Sequence, residues 1–168
     1  MLKDRLAHYA KIEAERESKL LVFVTGDKPG METQISSEMQ EYFVHHLDKF
    51  NLPKKISLYL YTRGGDTMAA WGILSLIQQF CDEYEVIIPT KARSAGTLLS
   101  LGAKTVVMTK QATLGPIDPR LNGPLNPQNP QAPQNPQARV PVSVESIKGY
   151  FEYAKKDLGI ENENDLTR

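Results

Sequence analysis

Residues 85–103 read Glu-Val-Ile-Ile-Pro-Thr-Lys-Ala-Arg-Ser-Ala-Gly-Thr-Leu-Leu-Ser-Leu-Gly-Ala, and the fold turns on how they are read. Val86, Ile87 and Ile88 form a short apolar run of the kind found in a buried parallel strand. Pro89 ends it, because proline has no N–H to give to a ladder. Ser94 then opens a segment of small and apolar residues, Ala95 to Ala103, that reads as a buried helix. A serine in this place can cap the helix by accepting backbone N–H groups. It can also be a nucleophile at the start of a helix, with Ala95 and Gly96 small enough for a substrate to approach. On this stretch alone the cap is the simpler reading. A second turn upstream, Thr62-Arg63-Gly64-Gly65-Asp66, shifts the balance, since it too follows a strand and opens a helix.

Outward from that centre, strands and helices alternate. Leu20 to Thr25 and Ile56 to Tyr61 read as strands, and Thr105 to Met108 as a shorter one. Helices are expected over residues 2–17, from Ser36 or Ser37 to Phe50, over Thr67 to Cys81, and from Ser143 to Leu158 with Gly159 at its C-cap. The helix from Thr67 is apolar nearly all round, so it is expected to be buried on more than one side. Met68 and Trp71 are then core or subunit interface rather than ligand contacts. Residues 112–119 form a proline-stiffened turn region, in which Asp118 either bonds its own backbone or faces a site. Residues 121–141 are dominated by Pro, Gln and Asn, with Pro-Gln-Asn-Pro-Gln occurring twice, and read as a mobile, extended loop that cannot build a core. The last eight residues are acidic and polar and read as loose.

Bulk properties narrow the function. The 168 residues suit a single domain, with an N-terminal helix over 1–18 and the flexible loop over 121–141. Twenty basic and twenty acidic residues balance, so no net field draws the chain to nucleic acid or an anionic membrane. Cys81 is the only cysteine, which excludes an internal disulfide and fits a reducing compartment. With no apolar run long enough to span a bilayer and no signal peptide, a cytoplasmic protein is expected. His45 and His46 point about 100° apart on one helix and read as an ordinary pair, so no metal site is expected. His8 stands alone, and no cofactor is implied.

Alternating strands and helices imply a parallel sheet with right-handed crossovers, whose ligands bind along the rim at the carboxyl ends of the strands. Gly64-Gly65 and Ser94-Ala95 would meet there. A diglycine turn leaves its N–H groups unobstructed, and with the Ala95 amide it could hold a developing oxyanion, at about 3 kcal/mol per donor.

Tyr61-Thr62-Arg63-Gly64-Gly65-Asp66 followed by Ser94-Ala95-Gly96-Thr97 resembles the ClpP/crotonase superfamily of ClpP, SppA and related serine peptidases. Within it, Thr25-Gly26-Asp27, Tyr61 through Trp71, Ser94 through Ala103 and Leu114 through Pro119 resemble the serine dehydrogenase proteinase family. The likeness spans about residues 10–150. It implies an α/β, ClpP/crotonase-like fold of repeated ββα units, usually oligomeric, with Ser94 as nucleophile and the Gly65 and Ala95 amides as oxyanion hole, Gly64 adjacent. ClpP-type enzymes carry a histidine in the region of Ile117 and Asp118, whereas no histidine follows Ser94 here. Resemblance to the SppA and membrane-bound stomatin-cleaving types implies a lysine base instead, Lys155 with Lys156 as alternate. Lys110 is nearer in sequence but reads as part of a hairpin. Arg93 and Asp118 are candidate lining residues. The family usually continues past this C-terminus, so the resemblance implies a truncated or single-domain form.

The expected function is therefore a serine peptidase acting on peptides or proteins as a homo-oligomer. One alternative is a non-catalytic peptide-binding or scaffolding member of the same fold, and a weaker one is a crotonase-type acyl-CoA enzyme.

Overall fold

The computed structural model describes residues 2–118, 120, 121, 123, 126–160 and 162. Pro119 of the turn region, part of the Pro/Gln-rich segment and nearly all of the acidic tail lie outside them. The chain divides into two compact units, residues 1–117 and 118–168.

The first unit is built on a parallel sheet in the order β1-β2-β3-β5, from β1 (Lys19–Val24), β2 (Lys55–Tyr61), β3 (Glu83–Ile88) and β5 (Thr105–Met108). Register places Leu21, Leu58, Val86 and Val106 in one row, and Leu20, Ser57, Glu85 and Thr105 in the next. Side chains alternate faces along a strand, so the first row looks to one side of the sheet and the second to the other. The helices α2 (Met39–Leu47), α3 (Thr67–Gln79) and α4 (Ala95–Leu101) close the core on the first side, with α3 between α2 and α4. Leu58, Leu60, Val86 and Ile88 from the sheet and Ile73, Ile77 and Leu99 from the helices are fully buried there. Phe23 meets Phe43 of α2 edge-on at 5.1 Å between ring centroids.

Two shorter strands, β4 (Lys91–Ala92) and β6 (Thr113–Leu114), pair parallel in a separate small sheet that Thr62 joins by a bridge to Ala92. The succession β3, β4, α4 makes one ββα unit, and the small sheet sets the short strands apart from the long ones. This separation also corrects the reading around Lys110: β5 and β6 belong to different sheets, so their connection is not a hairpin.

Helix α3 buries Ala69, Ala70, Ile73, Leu74 and Ile77, but leaves Met68 75% and Trp71 55% exposed. Neither is core, because the α2 and α4 flanks do not reach that face. Ahead of the sheet, α1 (Leu2–Arg16) is tied down at its last turn. Arg16 Nε donates to Glu85 Oε1 at 2.9 Å and its second nitrogen pairs with Oε2. Lys55 Nζ and Ser57 Oγ complete the carboxylate's partners at 3.1 and 2.8 Å. Glu85 is fully buried. Burial alone would raise its pKa, yet the hydrogen bonds from Arg16, Ser57 and Lys55 outweigh it and bring the group down to about 2.

The second unit carries β7 (Arg120–Leu121) antiparallel to β8 (Val142–Ser143), and then α5 (Val144–Lys156). Between them the Pro/Gln-rich segment is a succession of turns rather than an extended strand. The N–H groups of Ala132, Asn135 and Ala138 each reach the carbonyl three residues back, at 3.0 Å. Asn129 and Asn135 each take the amide two residues on, past a proline, at 2.9 and 3.0 Å. The cause is local: Asn-Pro-Gln lets an amide side chain mimic a backbone turn while proline presets φ.

Candidate active site

The two turns meet. The N–H of Thr62 donates to Lys91 O at 3.1 Å, and that of Arg93 to Thr62 O at 3.2 Å, zipping the exit of β2 to the segment that leads into Ser94. Thr62 is fully buried, and its Oγ1 accepts from Thr25 Oγ1 at 2.9 Å and from the Gly64 N–H at 3.0 Å. Gly64 then passes so close to the serine turn that a β-carbon on it would lie 2.7 Å from Arg93 O, 2.8 Å from Ser94 Cβ and 3.3 Å from Ala95 N. Its φ of +107° is one that side chains rarely adopt. Gly65 is pressed from the other side by Ile35, whose carbonyl would be 2.3 Å from a β-carbon there. Ile35 N–H donates to Gly64 O at 2.9 Å and Asp66 N–H to Ile35 O at 2.8 Å. Asp66 finishes the turn by capping α3, accepting from Ala69 N at 2.7 Å. Each residue of Thr-Arg-Gly-Gly-Asp except the exposed Arg63 therefore has a steric or hydrogen-bonding task.

The serine turn is built with similar economy. Gly96 gives way to Thr62, whose Cγ2 would be 2.3 Å from a β-carbon at that position. Thr97 Oγ1 lies 2.9 Å from Ala92 O and accepts the Gly115 N–H at 3.1 Å, binding α4 to the chain on both sides. Ser94 itself is half-buried with φ +51° and ψ −119°. Its side chain makes no capping hydrogen bond. The cap reading of Ser94 is thereby overturned: helical N–H groups of Thr97 and Leu98 go to its backbone carbonyl, at 2.8 and 3.2 Å, not to its hydroxyl. A non-glycine residue held at such a φ costs about 1–3 kcal/mol, a strain typical of functional turns. Among the described residues, no acceptor takes the N–H of Gly65 or of Ala95. The serine turn, strained at Ser94, and the Gly64-Gly65 turn thus lie against one another, and the N–H groups of Gly65 and Ala95 are uncommitted among the described residues.

A charged cluster flanks these turns that sequence reasoning did not single out. Asp27, in the loop after β1, accepts at one oxygen, Oδ2, from Tyr61 Oη and from Lys91 Nζ, both at 2.6 Å. Arg63 Nε stands 3.8 Å from the same oxygen. The Lys91 ammonium also lies over the Tyr61 ring, 5.1 Å from its centroid. Hydrogen bonds from Lys91 and then Tyr61 lower the Asp27 pKa, and Asp27 in turn raises that of Lys91. Lys91 therefore keeps its proton and is unsuited to take one from Ser94, although it lies three residues away. Local signals could not reveal this cluster, since its members are 34 and 64 positions apart in sequence.

Arg93, exposed, lays its stem against Gly115. In the second unit, Asp118 accepts from Ser143 Oγ at 2.9 Å, so its partner is the N-cap of α5 and not its own backbone. Lys155 and Lys156 occupy the exposed last turn of α5, and Lys156 pairs with Glu152 at 3.5 Å. His45 and His46 stack edge-on with ring centroids 5.7 Å apart. Among the described residues no cluster of His, Cys, Asp and Glu could hold a metal ion, and no helix is long and apolar enough to cross a membrane.

Comparison with known proteins gives a consistent picture. The profile of the ClpP-like SDH-type serine proteinases matches residues 38–134. Two uncharacterised proteins of Methanocaldococcus jannaschii are similar in sequence. MJ0137 is 41% identical over 68 residues, which is 40% of this chain and 24% of that protein. MJ1495 is 36% identical over 66 residues, 39% of this chain and 23% of that protein. The aligned region thus spans about a quarter of either relative. Among solved structures, a serine-to-alanine variant of the 1510-N membrane-bound stomatin-specific protease has a TM-score of 0.51 at 21% identity, over 89% of this chain and 69% of that one. A lysine-to-alanine variant of that protease, in complex with a substrate peptide, has a TM-score of 0.51 at 22% identity, over 82% and 58%.

Proposed function

Because the chain belongs to the ClpP-like SDH-type serine proteinase family, we propose that it is a serine peptidase whose nucleophile is Ser94. The observation that supports this reading is the close approach of Gly64 to Ser94 and Ala95, together with a Ser94 that holds a strained φ and does not cap its helix. In the proposed reaction Ser94 Oγ bonds to the scissile carbonyl carbon while its proton passes to a lysine amine. The carbonyl oxygen becomes an oxyanion held by the Gly65 and Ala95 N–H groups, each such donor being worth about 10²–10³ in kcat. The carbon–nitrogen bond then breaks, the lysine returns its proton to the leaving amine, and water releases the acyl group.

Lys155 is the proposed base, with Lys156 the alternate. A lysine accepts a proton near neutral pH only when desolvated. Both are exposed, so the reaction requires that substrate or a second copy of the chain cover one of them. A solved neighbour of this fold binds a substrate peptide and carries a replaced lysine, which supports looking for the base among lysines. The expected homo-oligomer belongs to the same proposal, with exposed Met68 and Trp71 as surface for a second copy to cover. So does the cytoplasmic location.

Exposure of both lysines also favours a second reading, a non-catalytic member that binds peptides without cleaving them. Turnover of a mixed set of quenched fluorescent peptides separates the two. Peptidase function predicts cleavage that falls to background in Ser94→Ala and by orders of magnitude in Lys155→Ala. Peptide binding that survives Ser94→Ala, with no turnover by the parent, would establish the second reading in its place.

A further inference from the structure

The Asp27 cluster has no part in the reaction above, yet it sits where three strand ends converge. Asp27 follows β1, Tyr61 is the last residue of β2, and Lys91 begins β4, three residues before Ser94. Backbone bonds already run between these segments: Thr25 N–H to Tyr61 O at 3.0 Å, then Thr62 N–H to Lys91 O at 3.1 Å. They are few, because β4 is only two residues long and Thr62 joins Ala92 through an isolated bridge. A two-residue strand is a weak anchor for a turn that must hold Ser94 at a strained φ. The charged contacts add what the short ladder lacks. A single oxygen of Asp27 takes the Tyr61 hydroxyl and the Lys91 ammonium, both at 2.6 Å. The Lys91 ammonium lies over the Tyr61 ring as well, 5.1 Å from its centroid. Lys91 and Asp27 are about four-fifths covered, with side-chain exposures of 22% and 20%. A paired charge in that setting is held more firmly than one on open surface, where such pairs add little.

We propose that Asp27 is a positioning residue: through Tyr61 and Lys91 it clamps the serine turn onto the diglycine turn and so fixes Ser94 relative to the Gly65 and Ala95 amides. Asp27 touches no reacting atom in this scheme. The clamp is a statement about the two turns; its effect on reactivity rests on the serine-peptidase reading.

The test measures the turns and the serine separately. Hydrogen–deuterium exchange is followed on the full chain for Asp27→Asn and Lys91→Met, which break the same contact from opposite sides. Segments covering residues 62–66 and 91–96 are expected to exchange at least tenfold faster in either variant, with the double variant no faster than the singles. Segments in α2 and the core of β2 should exchange as in the parent. Asp27→Glu should restore part of the protection, which a general loss of stability would not do. Exchange of the two turns at the parent rate in both single variants would overturn the clamp, whatever the serine does. In parallel, the rate of Ser94 modification by a fluorophosphonate is expected to fall about tenfold in the variants through its maximal rate, with half-saturation unchanged. A parent that resists the reagent while its variants loosen at both turns would leave the clamp standing and remove the peptidase reading.

Discussion

Replacing Gly64 by alanine would drive a methyl group into the place where the two turns touch. Its carbon would lie 2.8 Å from Ser94 Cβ and 2.7 Å from Arg93 O. Comfortable carbon–carbon contact is about 3.5–4.0 Å, so the turns must part by roughly 0.7 Å or more. Forcing atoms into a packed site costs about 1–3 kcal/mol, and holding alanine at a φ of +107° adds about 1–3 kcal/mol. The sum is about 4 kcal/mol. Gly30 supplies the control, because its φ is also positive, +76°, but a β-carbon there meets nothing within 4 Å. Gly30→Ala should therefore cost only the backbone part, about 1–2 kcal/mol. Urea unfolding read by the emission of Trp71, the single tryptophan and a residue of the same unit as both glycines, measures the difference. With a slope of about 2 kcal/mol per molar, Gly64→Ala is expected to unfold about 2 M earlier than the parent and Gly30→Ala less than 1 M earlier. Equal losses in the two variants would refute the close approach on which the site depends.

The buried Glu85 network makes stability depend on acid. Its carboxyl titrates at about 2 when folded, against an ordinary 4.5. Its contribution is thus fully present above pH 4.5 and is lost as pH falls toward 2, amounting to roughly 3 kcal/mol. Urea unfolding across that range should show this slope in the parent and a flatter one in Glu85→Gln. That variant should also be less stable at pH 7, by about 3 kcal/mol, because Arg16 and Lys55 lose their counter-charge; identical slopes in the two proteins would disprove it.

Much of the sheet was legible because its strands are runs of apolar residues and its turns carry glycine. The strand over Glu83–Ile88 starts earlier than its apolar run suggests, since Glu85 is buried by partners 69, 30 and 28 positions away. Local patterning cannot anticipate a charge neutralised at that range. The diglycine and serine turns were readable as a pair because parallel topology brings neighbouring strand ends together. Whether Ser94 caps its helix was not readable, as a capping serine and a strained one precede a helix identically in sequence; the positive φ decides it. The turns of the Asn-Pro-Gln segment had a visible signal in asparagine before proline, which composition alone obscured. For Met68 and Trp71 the sequence left core and subunit interface both open, since an all-apolar helix does not reveal which of its faces a partner would cover; their exposure removes only the core alternative.

Ser94 reactivity tests the central claim most directly. Folded protein is treated with a fluorophosphonate and digested, and the peptide containing Ser94 is weighed. A covalent adduct on Ser94, absent from Ser94→Ala and from unfolded protein, is the predicted result. An unmodified Ser94 in fully folded protein, after exposure sufficient to label a known serine peptidase, would contradict it.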